Sequence, residues 1–197
     1  CTQVVCYDQN SGMFASRAWW MLRWLGHRAV AVLDGGYDRW VREGRPVTTE
    51  APSREARTFP IRGRLPVVEA AEILSSLRTR SLVVVDARSP ERFRGETEPL
   101  DPVAGHIPGA INRPYAANLG PDGTFKDAAA LKGEYDALLR DVPPERVVHH
   151  CGSGLSPCHS VLAMAVAGYP ITRLYPGSWS EWVADRSRPV ATGPAQT

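Results

Sequence analysis

Short apolar runs along this chain alternate with segments in which apolar residues recur at the spacing of a helix. The runs predict strands over residues 2–7, 29–33, 82–86 and 146–150. The helical spacing predicts helices over residues 14–25, 37–43, 66–77, 131–139 and 157–167. Residues 87–105 are predicted to be a long loop. Strands and helices in alternating order indicate a parallel sheet covered by helices, so the predicted fold class is α/β.

The opening of the chain is repeated near its end. Residues 4–8 align with 147–151, and residues 33–41 align with 174–183 when one shift is allowed. Asp8 stands where the second copy has Cys151, so the first copy cannot perform thiol chemistry. The second copy also has a strand and a long connection ahead of it, from residue 82 onwards, with no counterpart in the first. We therefore expect one complete, active unit and one incomplete, supporting unit.

Composition changes this picture little. The chain has 197 residues, 43% of them apolar and 22% charged, which is ordinary for a globular protein of one large or two small domains. A net charge of +2 without blocks of like charge predicts attraction to neither nucleic acid nor membrane. No apolar run is long enough to span a bilayer, and nothing at the start resembles a signal peptide. The four cysteines are therefore expected to be free thiols in the cytoplasm.

Cys151 lies at the predicted junction of a strand with a helix. A helix start carries partial positive charge and N–H groups without partners, which would stabilise a thiolate. Gly152 and Gly154 allow a turn whose N–H groups face inward as an anion-binding nest. Ser156 suits the N-cap, and Pro157 suits the first helical position. The alternative is a buried structural cysteine beside a tight turn.

Arginines follow the third predicted strand and should open on the same sheet edge as Cys151, because carboxyl ends of parallel strands share one edge. Arg92 is the candidate for holding an anionic substrate with two hydrogen bonds, and an exposed loop charge is the alternative. Arg88, closer to the strand, is expected to pair with Asp86 or Glu91 in a structural role.

The other reactive side chains around Cys151 have structural explanations. His149 and His150 are predicted to be sheet residues. Neighbouring side chains on a strand point to opposite faces, which argues against a zinc cluster of these two histidines with Cys158 and His159. A hydrolase dyad is also disfavoured, because adjacent residues rarely bring an imidazole onto a sulfur. Cys158 either packs in the helix or resolves an oxidised Cys151. No metal or cofactor is expected.

Several further side chains have two possible roles. Ser153 could donate a hydrogen bond to a substrate or only complete the turn. Trp179 is expected to pack, although it could wall the site, and His106 is expected to pack a loop. Three tryptophans at helical spacing are expected in the core: Trp19, Trp20 and Trp24. A thiol phosphatase would need an arginine six positions after Cys151, where this chain has Pro157.

Five segments together resemble the two-domain rhodanese-type sulfurtransferases, which include thiosulfate and 3-mercaptopyruvate sulfurtransferases. They are Asp86-Ala87-Arg88, Arg92-Phe93-Arg94-Gly95, Gly105-His106-Ile107-Pro108-Gly109-Ala110, Cys151-Gly152-Ser153-Gly154-Leu155-Ser156 and Gly177-Ser178-Trp179-Ser180-Glu181-Trp182. The resemblance implies tandem rhodanese-like domains, each a parallel sheet flanked by helices. We expect the back half of an inactive domain over 1–47, a linker over 48–65, a catalytic domain over 66–192 and a tail over 193–197.

The resemblance also implies a reaction. The Cys151 thiolate would attack the outer sulfur of 3-mercaptopyruvate or thiosulfate, and the resulting persulfide would pass its sulfur to a thiol such as thioredoxin or a low-molecular-weight thiol, or to cyanide. Arg92 matches the family arginine that contacts the donor. The substrate-binding loop would comprise Gly152, Ser153, Gly154, Leu155 and Ser156.

The sequence bears on the choice of donor and on whether the module is an enzyme. Neutral Gly152 and Ser153 favour mercaptopyruvate, because thiosulfate enzymes tend to carry basic residues there. Leu100 weakens that preference, because mercaptopyruvate enzymes often have a second arginine soon after the Glu-Pro pair. The alternative to an enzyme is a non-catalytic rhodanese-like sulfur-carrier or binding module.

Overall fold

The computed structural model describes residues 2–51, 53, 55, 56 and 58–195. The described residues form six strands, β1 Val4–Cys6, β2 Val30–Val32, β3 Val83–Asp86, β4 Ile111–Asn112, β5 Val147–His150 and β6 Arg173–Leu174. They also form seven α-helices, α1 Met13–Trp24, α2 Gly36–Arg42, α3 Ala70–Thr79, α4 Pro90–Arg94, α5 Ala128–Leu139, α6 Pro157–Val166 and α7 Ser178–Ala184. Short 3₁₀ turns cover Tyr115–Asn118 and Pro144–Arg146.

All strand pairs are parallel, which confirms the predicted α/β fold class. Strands β1 and β2 form a two-stranded sheet in the first unit. The second unit has a four-stranded sheet in the order β4-β3-β5-β6. Its two central strands are valine-rich and almost wholly buried, because helices cover both faces of a parallel sheet. The carboxyl ends of β3 and β5 consequently lie side by side.

Alternation along the central strands divides the core between the two faces of the sheet. Val84 and Val148 pack on one face, in a cluster that contains Trp179 and Trp182. Residues on the other face pack against α5 and α6, in a cluster made of Val85, Leu131, Tyr135, Leu139, Val147, Ala163, Met164 and Ala167. This arrangement fixes α6, and with it the turn between β5 and α6.

A third cluster joins the two units. Trp19 and Trp20 of α1 pack against Val161 and Leu162 of α6. Trp24 is partly buried and stacks on Trp20, so the three tryptophans belong to the core as predicted. The supporting unit therefore rests directly on the helix that follows Cys151.

The predicted helix over 66–77 begins too early. The structure has α3 starting at Ala70, while Val67 forms a bridge with Leu174 and the Val68 N–H donates to the Leu174 carbonyl at 2.8 Å. Two adjacent β-branched residues favour extended backbone, and the edge strand β6 has free backbone groups at Leu174 with which they pair. The segment ahead of α3 thus extends the sheet beside β6.

The predicted long loop over 87–105 is wrong in part, because α4 lies within it. Ser89 precedes this helix in extended conformation, Pro90 takes its first position, and Gly95 ends it with a φ of 78°. Five residues are too few for a periodic pattern to be visible in the sequence. The helix carries Arg92 and Arg94.

Three smaller observations complete the fold. Helix α5 begins at Ala128, ahead of the predicted 131, because Asp127 caps it by accepting the Ala130 N–H at 2.8 Å. Cys6, Cys151 and Cys158 are free thiols, whereas Cys1 lies outside the described residues. No helix in the described part of the chain is long and apolar enough to cross a membrane.

Candidate active site

The turn from Cys151 to Ser156, here called the active-site loop, is held in place by the start of α7. The Cys151 N–H donates to Ser178 Oγ at 3.2 Å, and the Trp179 N–H donates to the Cys151 carbonyl at 2.9 Å. Ser180 donates both its N–H and its hydroxyl to the Gly152 carbonyl at 2.9 Å. The backbone at the base of the loop is therefore fixed before any ligand binds.

The sulfur atom of Cys151 faces the backbone of its own loop. The Gly154 N–H donates to Cys151 Sγ at 3.2 Å. The N–H groups of residues 152, 153, 155 and 156 have no acceptor among the described residues. One amide of the predicted nest thus contacts the sulfur, and four others are free for a ligand. Cys151 itself is only 4% exposed, whereas Ser153 of the same loop is exposed and Leu155 and Ser156 are half-buried.

Only glycine fits at position 154. Its φ is +79°, and a Cβ there would lie 2.2 Å from the Pro176 carbonyl oxygen. Pro176 belongs to the connection between β6 and α7. This close approach presses the loop against that connection and directs the Gly154 N–H toward the sulfur.

Arg92 lies beside the loop, as its candidate role requires. A Cβ on Gly152 would lie 3.3 Å from Arg92 Nη2, so the guanidinium covers this glycine. Glu98 holds the guanidinium through Nη2 at 2.6 Å and Nε at 3.2 Å, and Asp101 lies 3.6 Å from Nη2. The Arg92 side chain is 18% exposed, which leaves part of it open to a ligand.

Arg88 has the structural role predicted for it. Its guanidinium is buried, pairs with Asp86 at 2.6 Å and lies over the ring of Trp179 at 4.7 Å. Its second carboxylate partner is Glu98 at 3.2 Å in place of the predicted Glu91. Burial alone would raise the pKa of Asp86, but nearby His150 and the Arg88 hydrogen bonds outweigh it and lower that pKa.

The histidines beside Cys151 are sheet residues, as predicted. His149 Nε2 lies 3.2 Å from Met164 Sδ, and burial lowers its pKa to about 3. His150 Nδ1 lies 3.1 Å from the Cys151 carbonyl, and its Nε2 lies 3.5 Å from Asp86. Neither imidazole hydrogen-bonds Cys151 Sγ, so the pair does not form a hydrolase dyad.

His106 packs a loop, as expected. Its ring stacks on Phe93 with 3.8 Å between centroids, and Nδ1 lies 2.7 Å from the Phe93 carbonyl. This stack fixes α4, which carries Arg92.

Two further predictions concern Ser156 and Trp179. Ser156 takes the N-cap position and Pro157 the first helical position, as predicted, but the Ser156 side chain makes no cap hydrogen bond, because its backbone is already helical with φ −65° and ψ −20°. Trp179 packs in the core, as expected, and does not wall the site: it is fully buried, and its Nε1 donates to the Val103 carbonyl at 2.8 Å.

Cys158 is buried in the first turn of α6. Its thiol donates to the Gly154 carbonyl at 3.7 Å. Burial raises the pKa of Cys158 to about 11, against the opposing effect of Arg17. The thiol is therefore neutral at physiological pH and holds the back of the active-site loop.

Sequence reasoning missed three residues that hold the loop: Arg17, Ser178 and Ser180. The segment around Ser178 belongs to the quoted resemblance, but the sequence gives no sign of which atoms it contacts. Ser178 has a φ of 56°, a conformation that favours glycine and that no pattern of apolar residues indicates. Arg17 is remote in sequence and reaches the loop from α1.

The first unit contains a matching loop around a fixed anion. The Asp8 carboxylate accepts four backbone N–H groups at 2.8–2.9 Å, those of Asn10, Gly12, Phe14 and Ala15. Burial would raise the pKa of Asp8, but these hydrogen bonds outweigh it and the pKa is lowered. A loop of this design holds a negative charge on the side chain at the strand end.

Comparison with known proteins shows which family the chain belongs to. The model described as "Rhodanese-like domain" matches residues 2–43 and 69–185. A "Probable 3-mercaptopyruvate sulfurtransferase" of Pseudomonas aeruginosa is 47% identical over 196 residues, covering 98% of this chain and 68% of that protein. The "Thiosulfate sulfurtransferase" of Mus musculus is 35% identical and covers 92% of this chain and 63% of its own length. The "Sulfur carrier protein TtuD" of Thermus thermophilus is 35% identical, with coverage of 98% and 72%.

Solved structures match the fold closely. The Tum1 protein of Saccharomyces cerevisiae superimposes with a TM-score of 0.81 at 27% identity, over 95% of this chain and 68% of that chain. The chain spans about two thirds of the length of its curated relatives, and about half of some longer solved chains of the same fold.

Proposed function

Because the chain belongs to the rhodanese-like domain family and is a sulfurtransferase, we propose that it moves a sulfane sulfur through a persulfide on Cys151. The observation that carries this proposal is the Gly154 N–H at 3.2 Å from Cys151 Sγ, in a loop with four further free N–H groups. Such a loop stabilises an anionic sulfur and, after transfer, the longer anionic persulfide. Asp8, in the corresponding loop of the first unit, provides the internal example of a held anion.

The proposed reaction has two displacements. The Cys151 thiolate attacks the outer sulfur of the donor, a new S–S bond forms, and the donor's bond to that sulfur breaks. Its electron pair leaves with sulfite from thiosulfate, or with the enolate of pyruvate from 3-mercaptopyruvate, which then takes up a proton. In the second displacement, an acceptor thiolate or cyanide attacks the outer sulfur of the persulfide. That step restores the Cys151 thiolate.

Charge around the loop favours 3-mercaptopyruvate over thiosulfate as the donor. Gly152 and Ser153 add no positive charge, and Glu98 already neutralises much of Arg92. A weakly cationic site suits the single carboxylate of mercaptopyruvate better than the double charge of thiosulfate. Arg92 would contact that carboxylate, and the exposed Ser153 hydroxyl would hydrogen-bond the donor.

The remaining parts of the proposal concern organisation and partners. We propose a catalytic domain over 66–192, supported by the unit over 1–47 through a linker over 48–65. The acceptor would be thioredoxin or a low-molecular-weight thiol, with cyanide as a laboratory substitute. A reducing compartment such as the cytoplasm suits the three free thiols Cys6, Cys151 and Cys158.

Mass spectrometry tests the central step. Incubation with 3-mercaptopyruvate should add one sulfur atom to the intact protein, and cyanide should remove it with formation of thiocyanate. The Cys151→Ser variant should gain no sulfur, whereas Cys6→Ser, in the first unit, should behave as the wild type. Sulfur uptake by Cys151→Ser would contradict the proposal.

A second candidate function is that of a sulfur carrier without turnover of its own. The similarity to the Thermus thermophilus carrier protein favours it. It predicts that Cys151 takes up sulfur from a donor but releases none to thioredoxin, glutathione or cyanide. Steady production of persulfide or thiocyanate over many turnovers would eliminate this reading.

A further inference from the structure

One cation reaches the active-site loop from the other unit of the chain. Arg17 lies on α1, and its Nη1 atom is 3.4 Å from the Gly154 carbonyl oxygen and 3.8 Å from Cys158 Sγ. Its guanidinium carbon also lies over the ring of Trp20, 5.2 Å from the centroid. The side chain is half-buried, and its only polar partners among the described residues belong to the loop and the first turn of α6.

The contact with the Gly154 carbonyl matters because of peptide geometry. A planar trans peptide points its carbonyl and its following N–H in opposite directions. Holding the Gly154 oxygen on the Arg17 side therefore turns the Leu155 N–H to the opposite side, where it has no acceptor among the described residues. Gly154 is also pressed against the Pro176 carbonyl, and its own N–H faces Cys151 Sγ. Arg17 thus holds the peptide that carries the Leu155 N–H and that directly follows the Gly154 N–H, the two donors that would stabilise the sulfur anion.

We propose that Arg17 is a positioning residue for sulfur transfer at Cys151, supplied by the unit that lacks the cysteine. It acts through the Gly154 peptide and adds a positive charge behind the loop, without contacting the donor. The inference rests on the proposed function and gives the supporting unit a part in the reaction. Cys158 shares the contact with the Gly154 carbonyl as a neutral thiol, so Arg17 is the charged member of the pair.

The test compares Arg17→Met with the matched control Arg23→Met. Arg23 lies on the same helix, but it donates to the Arg28 carbonyl within the first unit. We expect Arg17→Met to slow persulfide formation from 3-mercaptopyruvate about tenfold, with a nearly unchanged donor KM, because it removes the support of an anion-stabilising loop and no donor contact. Arg23→Met should leave the rate and KM as in the wild type. Thermal unfolding reports any purely structural effect separately.

A second readout keeps this inference apart from the proposed function. Alkylation of Cys151 by iodoacetamide needs no sulfur donor, and it should also slow several-fold in Arg17→Met and not in Arg23→Met. If the wild type forms no persulfide, the proposed function fails while the alkylation rates still decide the role of Arg17. Where Arg17→Met does not fold, Arg17→Lys is the test variant. A single amine cannot reproduce the planar guanidinium, so its rates of persulfide formation and alkylation should lie below those of the wild type. Wild-type alkylation and persulfide rates in a folded Arg17 variant would overturn the inference.

Discussion

At the scale of single residues, the missing side chain at Gly152 sets the position of the Arg92 guanidinium. The space that a Cβ would take is bounded by Arg92 Nη2 at 3.3 Å and Nη1 at 3.4 Å. Glu98 holds the guanidinium at Nη2 and Nε, so the group cannot move away without straining these hydrogen bonds. A methyl group at position 152 would therefore push the arginine out of line with the loop.

We predict that Gly152→Ala raises the KM for 3-mercaptopyruvate about tenfold, because the displaced Arg92 guanidinium would no longer be placed for the contact with the donor carboxylate that we propose. Cys151 alkylation should change little, since the sulfur and the Gly154 N–H are untouched. Steady-state kinetics with the donor varied measures the effect.

Gly133→Ala is the matched control for this prediction. Gly133 lies within α5 with nothing within 4 Å of its added Cβ. The change should raise the free energy of unfolding by about 0.5–1 kcal/mol and leave KM alone, because alanine favours a helix interior. An unchanged KM in Gly152→Ala would show that Arg92 does not contact the donor.

Which site residues could be predicted from the sequence depends on where their contacts come from. Cys151, Gly154 and Arg92 stand in short segments that follow strand ends, so their types and spacing indicate the site. Arg17 and Ser178 act through backbone atoms of the loop from distant elements. Their side chains are common on any helix, so nothing in their local pattern distinguishes them.

At the scale of elements, the two strand-to-helix turns present backbone N–H groups to different acceptor side chains. Both place an acceptor at a strand end in front of the first turn of a helix, where N–H groups lack partners. In the first unit the acceptor is the Asp8 carboxylate, which joins the turn to the start of α1 through the N–H groups of Phe14 and Ala15. In the second unit the acceptor is the Cys151 sulfur.

We predict that Asp8→Asn lowers the free energy of unfolding by about 1–3 kcal/mol near pH 7, because charge-assisted hydrogen bonds to the start of α1 are weakened. The folded pKa of Asp8 is lowered from 3.8, so the stability it contributes is present above that value and is lost as pH falls through the lowered one. Urea unfolding should therefore show the two proteins converging in strong acid.

Asp38→Asn is the control, since this exposed side chain makes no hydrogen bond among the described residues. It should change stability by no more than about 0.5 kcal/mol. If the difference in free energy of unfolding between wild type and Asp8→Asn stayed the same in acid, the Asp8 charge would not be what stabilises this turn.

Strands that are buried on both faces were predicted correctly, whereas elements whose conformation is set by neighbouring segments or by their end residues were not. The valine runs of β3 and β5 were predicted to within one residue, because a central parallel strand is apolar on both faces. The segment at Val67 and Val68 is compatible with a helix by spacing, and only the open edge beside Leu174 makes it extended. Helix α4 is set by Pro90 and Gly95 at its ends and has no periodicity of its own.

At the scale of the whole molecule, the two units meet chiefly along α6. The apolar contact of α1 with α6 is completed by polar contacts: His159 Nε2 lies 3.2 Å from the Ser11 carbonyl, and the Phe125 N–H donates to Asp34 at 2.9 Å. Since α6 begins at the active-site loop, the supporting unit stabilises the helix on which the site depends. Both His149 and His159 are buried around this helix.

Because these histidines are buried, the free energy of unfolding of the protein is expected to fall in acid. Burial lowers the pKa of His149 from 6.5 to about 3 and that of His159 from 6.5 to about 4. The unfolded chain therefore binds protons at a pH where the folded chain does not, so stability is full above pH 6.5 and falls as pH is lowered toward these folded values. At pH 5, His149 alone should reduce the free energy of unfolding by about 2 kcal/mol.

His149→Leu should remove that share of the acid sensitivity. The substitution deletes a buried ring whose Nδ1 has no partner among the described residues, so stability at pH 7.5 should be equal to or greater than that of the wild type. Between pH 7.5 and 5 the variant should lose about 2 kcal/mol less than the wild type in urea unfolding. Parallel losses in the two proteins would show that the His149 imidazole titrates alike in the folded and unfolded chains. Its burial beside Met164 would then not determine the acid response of the fold.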